Sequence, residues 1–130
     1  MIEKTNVYDT RNTILIGQES FYIALPARVT NTGLTADSNG KKILKAGTPL
    51  SGNIENRDTA FVKATTSSGT SNATAVLLHD VDVTSGANNG TIVLAGCIDL
   101  LKLDSNTSSL VTTEVKKALD KIIFVKGSAI

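Results

Sequence analysis

The sequence predicts a mostly β, α+β domain on three observations. Two β-branched apolar runs, Ala75–Val83 and Ile92–Ala95, flank the polar stretch Ser85–Gly90. Val, Ile, Leu and Ala dominate a 41% hydrophobic composition that contains only five aromatics (Tyr8, Phe21, Tyr22, Phe61 and Phe124) and no Trp. Aliphatic packing of this kind suits pleated sheets. Near the C-terminus, Val111, Val115, Ala118, Leu119 and Ile122 recur at i, i+4, i+7, i+8 and i+11, one helical stripe. At 130 residues the chain has the size of one domain, able to bury about two-thirds of the surface its unfolded form exposes.

Residues 1–20 mix polar and apolar side chains, and Gly17 ends the short run Ile14-Leu15-Ile16 before a helix can form. They read as an extended arm with too few apolar residues to hold itself in place. Fully stretched, it reaches roughly 66 Å. Residues 21–130 read as the folded domain.

Phe21–Leu25 is the first strand, stopped by Pro26, which withdraws a ladder donor. Thr30–Gly40 is turn-forming throughout. Ile43 and Leu44 begin a short strand, Gly47-Thr48-Pro49 turns it, and Gly52-Asn53 continues the loop. Thr59–Ala64 is the next strand. From Thr65 to Thr74, nine of ten residues are Ser, Thr, Asn or Gly, the composition of a surface loop.

Within Ala75–Val83, strict alternation puts Leu77, His79, Val81 and Val83 on one face, buried throughout, and Val76, Leu78, Asp80 and Asp82 on the other, buried at first and then wet. Ile92–Ala95 lacks alternation, as a strand covered on both sides does. Asp104–Ser109 reads as a polar loop. Thr112 before Glu114 then favours a helix start with a capping hydroxyl and an acidic first turn. Lys116, Lys117, Asp120 and Lys121 fall opposite the apolar stripe, and the strand Ile122–Val125 follows.

Thirteen basic and twelve acidic residues leave a net charge of +1, with no more than two Lys or Arg adjacent. That is no nucleic-acid footprint. No window approaches the roughly 20 apolar residues of a membrane span, and the polar start Met1–Asn6 lacks the core of a secretory signal. An intracellular origin is the expectation. The lone Cys97, set among Leu94, Ala95, Gly96 and Ile98, is expected to be a buried small hydrophobe, not a reactive thiol.

His79 beside Asp80 invites a proton-transfer reading, but neighbours on a strand face opposite ways, and no serine sits in a Gly-x-Ser-x-Gly elbow. A core or interface histidine is the plainer role. Counted from Asp80, a calcium loop would need glycine where Ser85 stands and glutamate where Thr91 stands. One Cys and one His cannot complete a tetrahedral metal shell. Neither phosphate-cradling glycine motif occurs. No catalytic, cofactor or metal residues are therefore assigned.

Three pieces, taken in order, resemble the small head decoration proteins of lambda-type tailed phages. They are the turn Ala46–Gly52, the strand Ala75-Val76-Leu77-Leu78-x-Asp80-Val81-Asp82 followed by Ile92-Val93-Leu94, and the closing helix and strand Val115–Val125. Together they cover about residues 41–126. The resemblance implies a compact mixed fold of small sheets with one or two short helices, no enzyme activity and no cofactor. It further implies a homotrimer at local threefold points of the expanded capsid, bound to the major capsid protein and stabilising the head against internal DNA pressure. Such a protein is made in the host cytoplasm and resides on the virion exterior, without nucleic-acid or membrane contacts. The N-terminal arm, with Val7, Tyr8, Ile14, Leu15 and Ile16, is then expected to add strand pairing to the coat protein. His79, Asp80 and Asp82 are the candidates for the trimer interface. The chain departs from the family pattern in the long Thr65–Thr74 loop and in its N-terminal half. The alternative is a β-rich virion fibre-base or adhesin module that recognises a host-surface glycan through its Ser/Thr/Asn loops.

Overall fold

The computed structural model describes Ile14 and residues 22–126. The strands are β1 (Ile23–Val29), β2 (Ile43–Leu44), β3 (Pro49–Ser51), β4 (Val62–Lys63), β5 (Thr66–Ser67), β6 (Thr70–Ser71), β7 (Ala75–Leu77), β8 (Val81–Asp82), β9 (Asn88–Asp99) and β10 (Ile122–Val125). Between β9 and β10 lie a 3-10 turn (Leu100–Lys102) and two short helices, α1 (Ser105–Ser108) and α2 (Thr113–Ala118). The fold is α+β and mostly β, as the composition predicts.

β9 organises the molecule. Its first half pairs antiparallel with β1 on one side and β7 on the other, and its second half pairs parallel with β10. β7 pairs with β3, and β3 with β4, giving the path β1-β9-β7-β3-β4. The path then closes: Phe61, just before β4, makes a parallel bridge to Val29 of β1. Phe61 N–H donates to the Arg28 carbonyl at 2.8 Å, and Thr30 N–H donates to the Phe61 carbonyl at 3.0 Å. A small barrel results, filled by Val29, Leu50, Phe61, Ala75, Leu77 and Ile92, all 0% exposed. Where the bridge forms, neither segment presents a free edge of the kind that invites aggregation.

β1 runs through Pro26, contrary to the expected stop. Arg28 N–H donates to the Arg57 carbonyl at 3.2 Å, on the side away from β9. Pro26, two residues earlier and so in phase, turns its missing donor the same way, and no ladder bond to β9 is lost. Its carbonyl accepts from Arg57 Nη1 at 2.7 Å. Proline similarly opens β3 at Pro49; the turn expected there is made one step earlier, at Ala46-Gly47.

The Thr65–Thr74 segment is not a plain loop. β5 and β6 pair as a hairpin across Ser68-Gly69, whose φ values of 52° and 78° are both positive, the two-residue turn whose twist matches its strands. The expected Ala75–Val83 strand is interrupted: β7 belongs to the barrel, while β8 pairs with β2 in a separate small sheet, and the chain bends between them. At the other end of that turn, Asn88, Asn89 and Gly90 belong to β9, paired with Val29, Arg28 and Ala27. Of the expected run Ile92–Ala95 only Ile92 and Val93 are fully covered; Leu94, Ala95 and, further on, Cys97 are half-buried, so Cys97 is less enclosed than expected.

The crossover from β9 to β10 supplies a second core layer. Asp104 caps α1 by accepting from Asn106 N–H at 3.1 Å, turning an expected loop into one helical turn. Thr112 caps α2 through Val115 N–H, and Glu114 sits in the first turn, both as the sequence predicts. The helix ends at Ala118, so Asp120 and Lys121 lie beyond it, and Ile122 continues the apolar stripe as the first residue of β10. Val111, Val115, Leu119, Ile122, Val93, Ile98, Leu103 and Ile14 form this layer.

Candidate functional site

The three residues expected at a trimer interface lie around the β7–β8 bend. His79 is exposed at the bend itself, because β7 and β8 belong to different sheets and the alternation that would bury it does not continue. It is not a core histidine. Asp80, also exposed, accepts from Ala46 N–H at 2.7 Å and pairs with Lys45 Nζ at 3.7 Å, the two side chains being 55% and 49% exposed. An ion pair so open contributes about 0–1 kcal/mol. Its carboxylate stabilises the Ala46-Gly47 turn.

Asp82 organises the turn into β9. One carboxylate oxygen accepts from the Thr84 hydroxyl at 2.6 Å and from Thr84 N–H at 2.9 Å, and the Asp82 carbonyl accepts from Asn88 Nδ2 at 3.1 Å. The Thr84 hydroxyl, then its N–H, holds the carboxyl below its ordinary pKa. Asp82, Thr84, Ser85, Gly86, Ala87 and Asn88 line an open depression of about 340 Å³. The two carboxylates therefore serve different turns of this chain. Among the described residues, no three His, Cys, Asp or Glu side chains gather to hold a metal.

Two further features were not legible in the sequence. The first is an apolar sheet face at the end of β9 remote from the barrel. Between Ile23↔Ala95 and Ala24↔Val93 the register shifts, leaving Leu94 as an extra residue, and such a bulge re-aims a strand. Beyond it, Ile98, Ile122 and Phe124 face the helices. On the opposite face stand Ile23, 54% exposed, and Ile123, 64% exposed, with Cys97 opposite Ile123 in the ladder. Single exposed aliphatics are ordinary, but two on one face of the sheet, one on each strand flanking β9 there, are a local apolar concentration. Adjacent isoleucines 122 and 123 look alike in sequence; only the pairing decides which is buried.

The second feature is the root of the N-terminal segment. Ile14 is 3% exposed and packs in the helix-covered core layer, and its carbonyl accepts from Asp99 N–H at 2.9 Å. Ile14 is thus part of this chain's own core and leaves the set that a coat subunit can contact. Val7, Tyr8, Leu15 and Ile16 lie outside the described residues.

Among the described residues no helix is long and apolar enough to cross a membrane. Compared with known protein families, the chain matches none, and no curated protein matches it.

Proposed function

We propose that this chain is a capsid decoration protein of the lambda type, a trimer that caps local threefold points of an expanded phage head and stabilises it against DNA pressure. The observation that carries the reading is spatial. The three sequence pieces that resemble the family contribute adjacent elements: β3 pairs with β7, β7 with β9, β9 with β10, and α2 leads into β10. Pieces separated along the chain thus belong to one sheet and its helical cover.

Two physical features agree with a structural role. The turn-bound carboxylates Asp80 and Asp82 are engaged within the chain, and the net charge of +1 favours binding that depends little on salt. Three N-terminal segments per trimer would bind a coat lattice with avidity, the second and third engaging at raised effective concentration and gaining about 10²- to 10⁴-fold. The glycan-binding alternative has weaker support, because Phe61 is wholly buried and Phe124 packs against the core, leaving neither ring as a stacking platform.

Cosedimentation with expanded capsids of the parent phage tests the reading, together with light scattering on the free protein. The expected result is a trimer in solution that saturates the threefold points. Binding should be lost when residues 1–13 are removed, a truncation that spares the core residue Ile14. A monomer with no affinity for such capsids would defeat the proposal.

A further inference from the structure

We propose that Asn39–Gly40 is a self-modification site, where the Gly40 amide attacks the Asn39 side chain and converts it to aspartate and isoaspartate, while the barrel holds the chain's other Asn-Gly pair, Asn89–Gly90, inert. The inference stands on the geometry of the two pairs and does not depend on the decoration reading.

The chemistry needs only water. The Gly40 amide gives its proton to solvent base and its nitrogen bonds to Asn39 Cγ. The bond from Cγ to the side-chain nitrogen breaks, and that nitrogen takes up a proton and leaves as ammonia. Water then opens the resulting succinimide at either carbonyl, returning aspartate or, with the chain rerouted through the side-chain carbon, isoaspartate. Glycine suits the attacking position because it has no Cβ to crowd the approach.

The fold separates two pairs that are identical in sequence. Asn39 and Gly40 are both exposed, in the turn between β1 and β2. Gly40 N–H is held by a single turn bond to the Asp37 carbonyl at 2.9 Å, and nothing lies within 4 Å of where a Cβ on Gly40 would stand. Breaking that one exposed bond frees the nitrogen to turn toward Cγ. Gly90 lies inside β9 instead. Arg28 N–H points away from β9, to the Arg57 carbonyl, so Ala27 and Gly90 are a hydrogen-bonded pair and the Gly90 amide belongs to the ladder. A Cβ on Gly90 would meet Val81 Cγ2 at 3.1 Å and Leu77 Cδ1 at 3.3 Å, so this backbone is pressed against the barrel filling. The Asn89 amide oxygen also accepts from Arg28 Nη1 at 3.4 Å. Reaction there requires β9 to leave β1, an opening far rarer than that of an exposed turn.

Conversion at Asn39 has a structural consequence. The Asp37 carboxylate accepts from the N–H groups of Asn39 at 2.8 Å and Lys41 at 3.0 Å, and Asp37 N–H donates to the Lys41 carbonyl at 2.8 Å. Isoaspartate inserts an extra backbone carbon between Asp37 and Lys41, which breaks the fit of this clasp. Lys42, the next residue, docks the segment on the turn after β8: its N–H donates to Thr84 Oγ1 at 2.9 Å and its carbonyl accepts from Val83 N–H at 2.9 Å. Either product adds a carboxylate and takes the net charge from +1 to 0.

Ageing the full chain in mildly alkaline buffer, folded and in denaturant, tests the proposal. Peptides spanning each pair are followed by mass spectrometry for amide-to-carboxylate conversion, and isoaspartate by its specific enzymatic methylation. In the folded protein Asn39 is expected to convert at least about tenfold faster than Asn89, and in denaturant the two rates converge. Asn39→Gln, which keeps the amide but lengthens the side chain, should remove both the isoaspartate signal and the main acidic species in ion exchange. An Asn39 that stays intact in the folded protein while the unfolded chain converts overturns the proposal. So does an Asn89 that keeps pace with Asn39 in the folded state, or a main acidic species that persists in Asn39→Gln.

Discussion

The two ends of β9 are finished in opposite ways. Around Asn88–Val93 the sheet curls until Phe61 meets Val29, and the inward side chains Ala27, Val29, Leu50, Phe61, Leu77 and Ile92 are buried together. Around Ala95–Asp99 the sheet stays open: one face is covered by Ile14, Leu103, Val111 and Val115 of α2, and the other carries Ile23 and Ile123 in solvent. The closed end buries its apolar side chains within one chain. At the open end Ile14 contributes to the core, and apolar side chains remain on the surface. The proposed trimer is assigned to the open end for that reason, since association would remove exposed apolar area there from water.

The contrast can be broken most severely at the closure. Phe61→Ala should cost about 4 kcal/mol, because a fully buried ring leaves a cavity that a closed barrel cannot collapse to fill. Denaturant unfolding followed by circular dichroism measures it, and a loss below about 1 kcal/mol would mean the closure matters little. The same ring leaves no room at Gly52, where an added Cβ would lie 2.6 Å from it.

At the open end, Ile14→Ala should cost about 2 kcal/mol in the same assay, less than Phe61→Ala, because a residue held by one layer leaves a site that relaxes more easily. Thr112→Ala removes the cap from α2 and should cost about 1 kcal/mol. Ile23→Lys and Ile123→Lys should leave unfolding within about 0.5 kcal/mol of wild type, because both side chains are already more than half exposed. Their effect is expected instead in sedimentation, as a loss of the proposed trimer.

The smallest effect is acid sensitivity at Asp82. Its carboxyl is held below the ordinary value by the Thr84 hydroxyl first and the Thr84 N–H second. A depressed folded pKa contributes stability above the unfolded value, and that contribution is lost as pH falls through the folded pKa, below about pH 4. Thr84→Val should move the Asp82 midpoint in an NMR titration upward, toward the ordinary carboxylate value. An unmoved midpoint would reassign the cause.

Local chemistry made several elements readable. Thr112 as a cap, Glu114 in the first turn, Ile43-Leu44 as a strand and Ile122–Val125 as a strand all depend on near neighbours in the chain. Pro26 misled because its effect depends on which side of β1 its nitrogen faces, and that is fixed by the pairing of Arg28 with the distant Arg57. His79 misled because alternation predicts a face only while a strand continues in one sheet. The Ser68-Gly69 turn carried a local signal, two adjacent residues able to take positive φ, hidden by the surrounding polar composition.

By itself the sequence determined the class of fold, the aliphatic character of the core and the place of the helix, because periodicity, capping and composition act over a few residues. Only the tertiary structure decided that the sheet closes through Phe61, that Ile14 belongs to the core and that Ile123 does not. Each of those outcomes depends on pairing between segments far apart in the chain. A strand's own pattern cannot say which neighbour covers it.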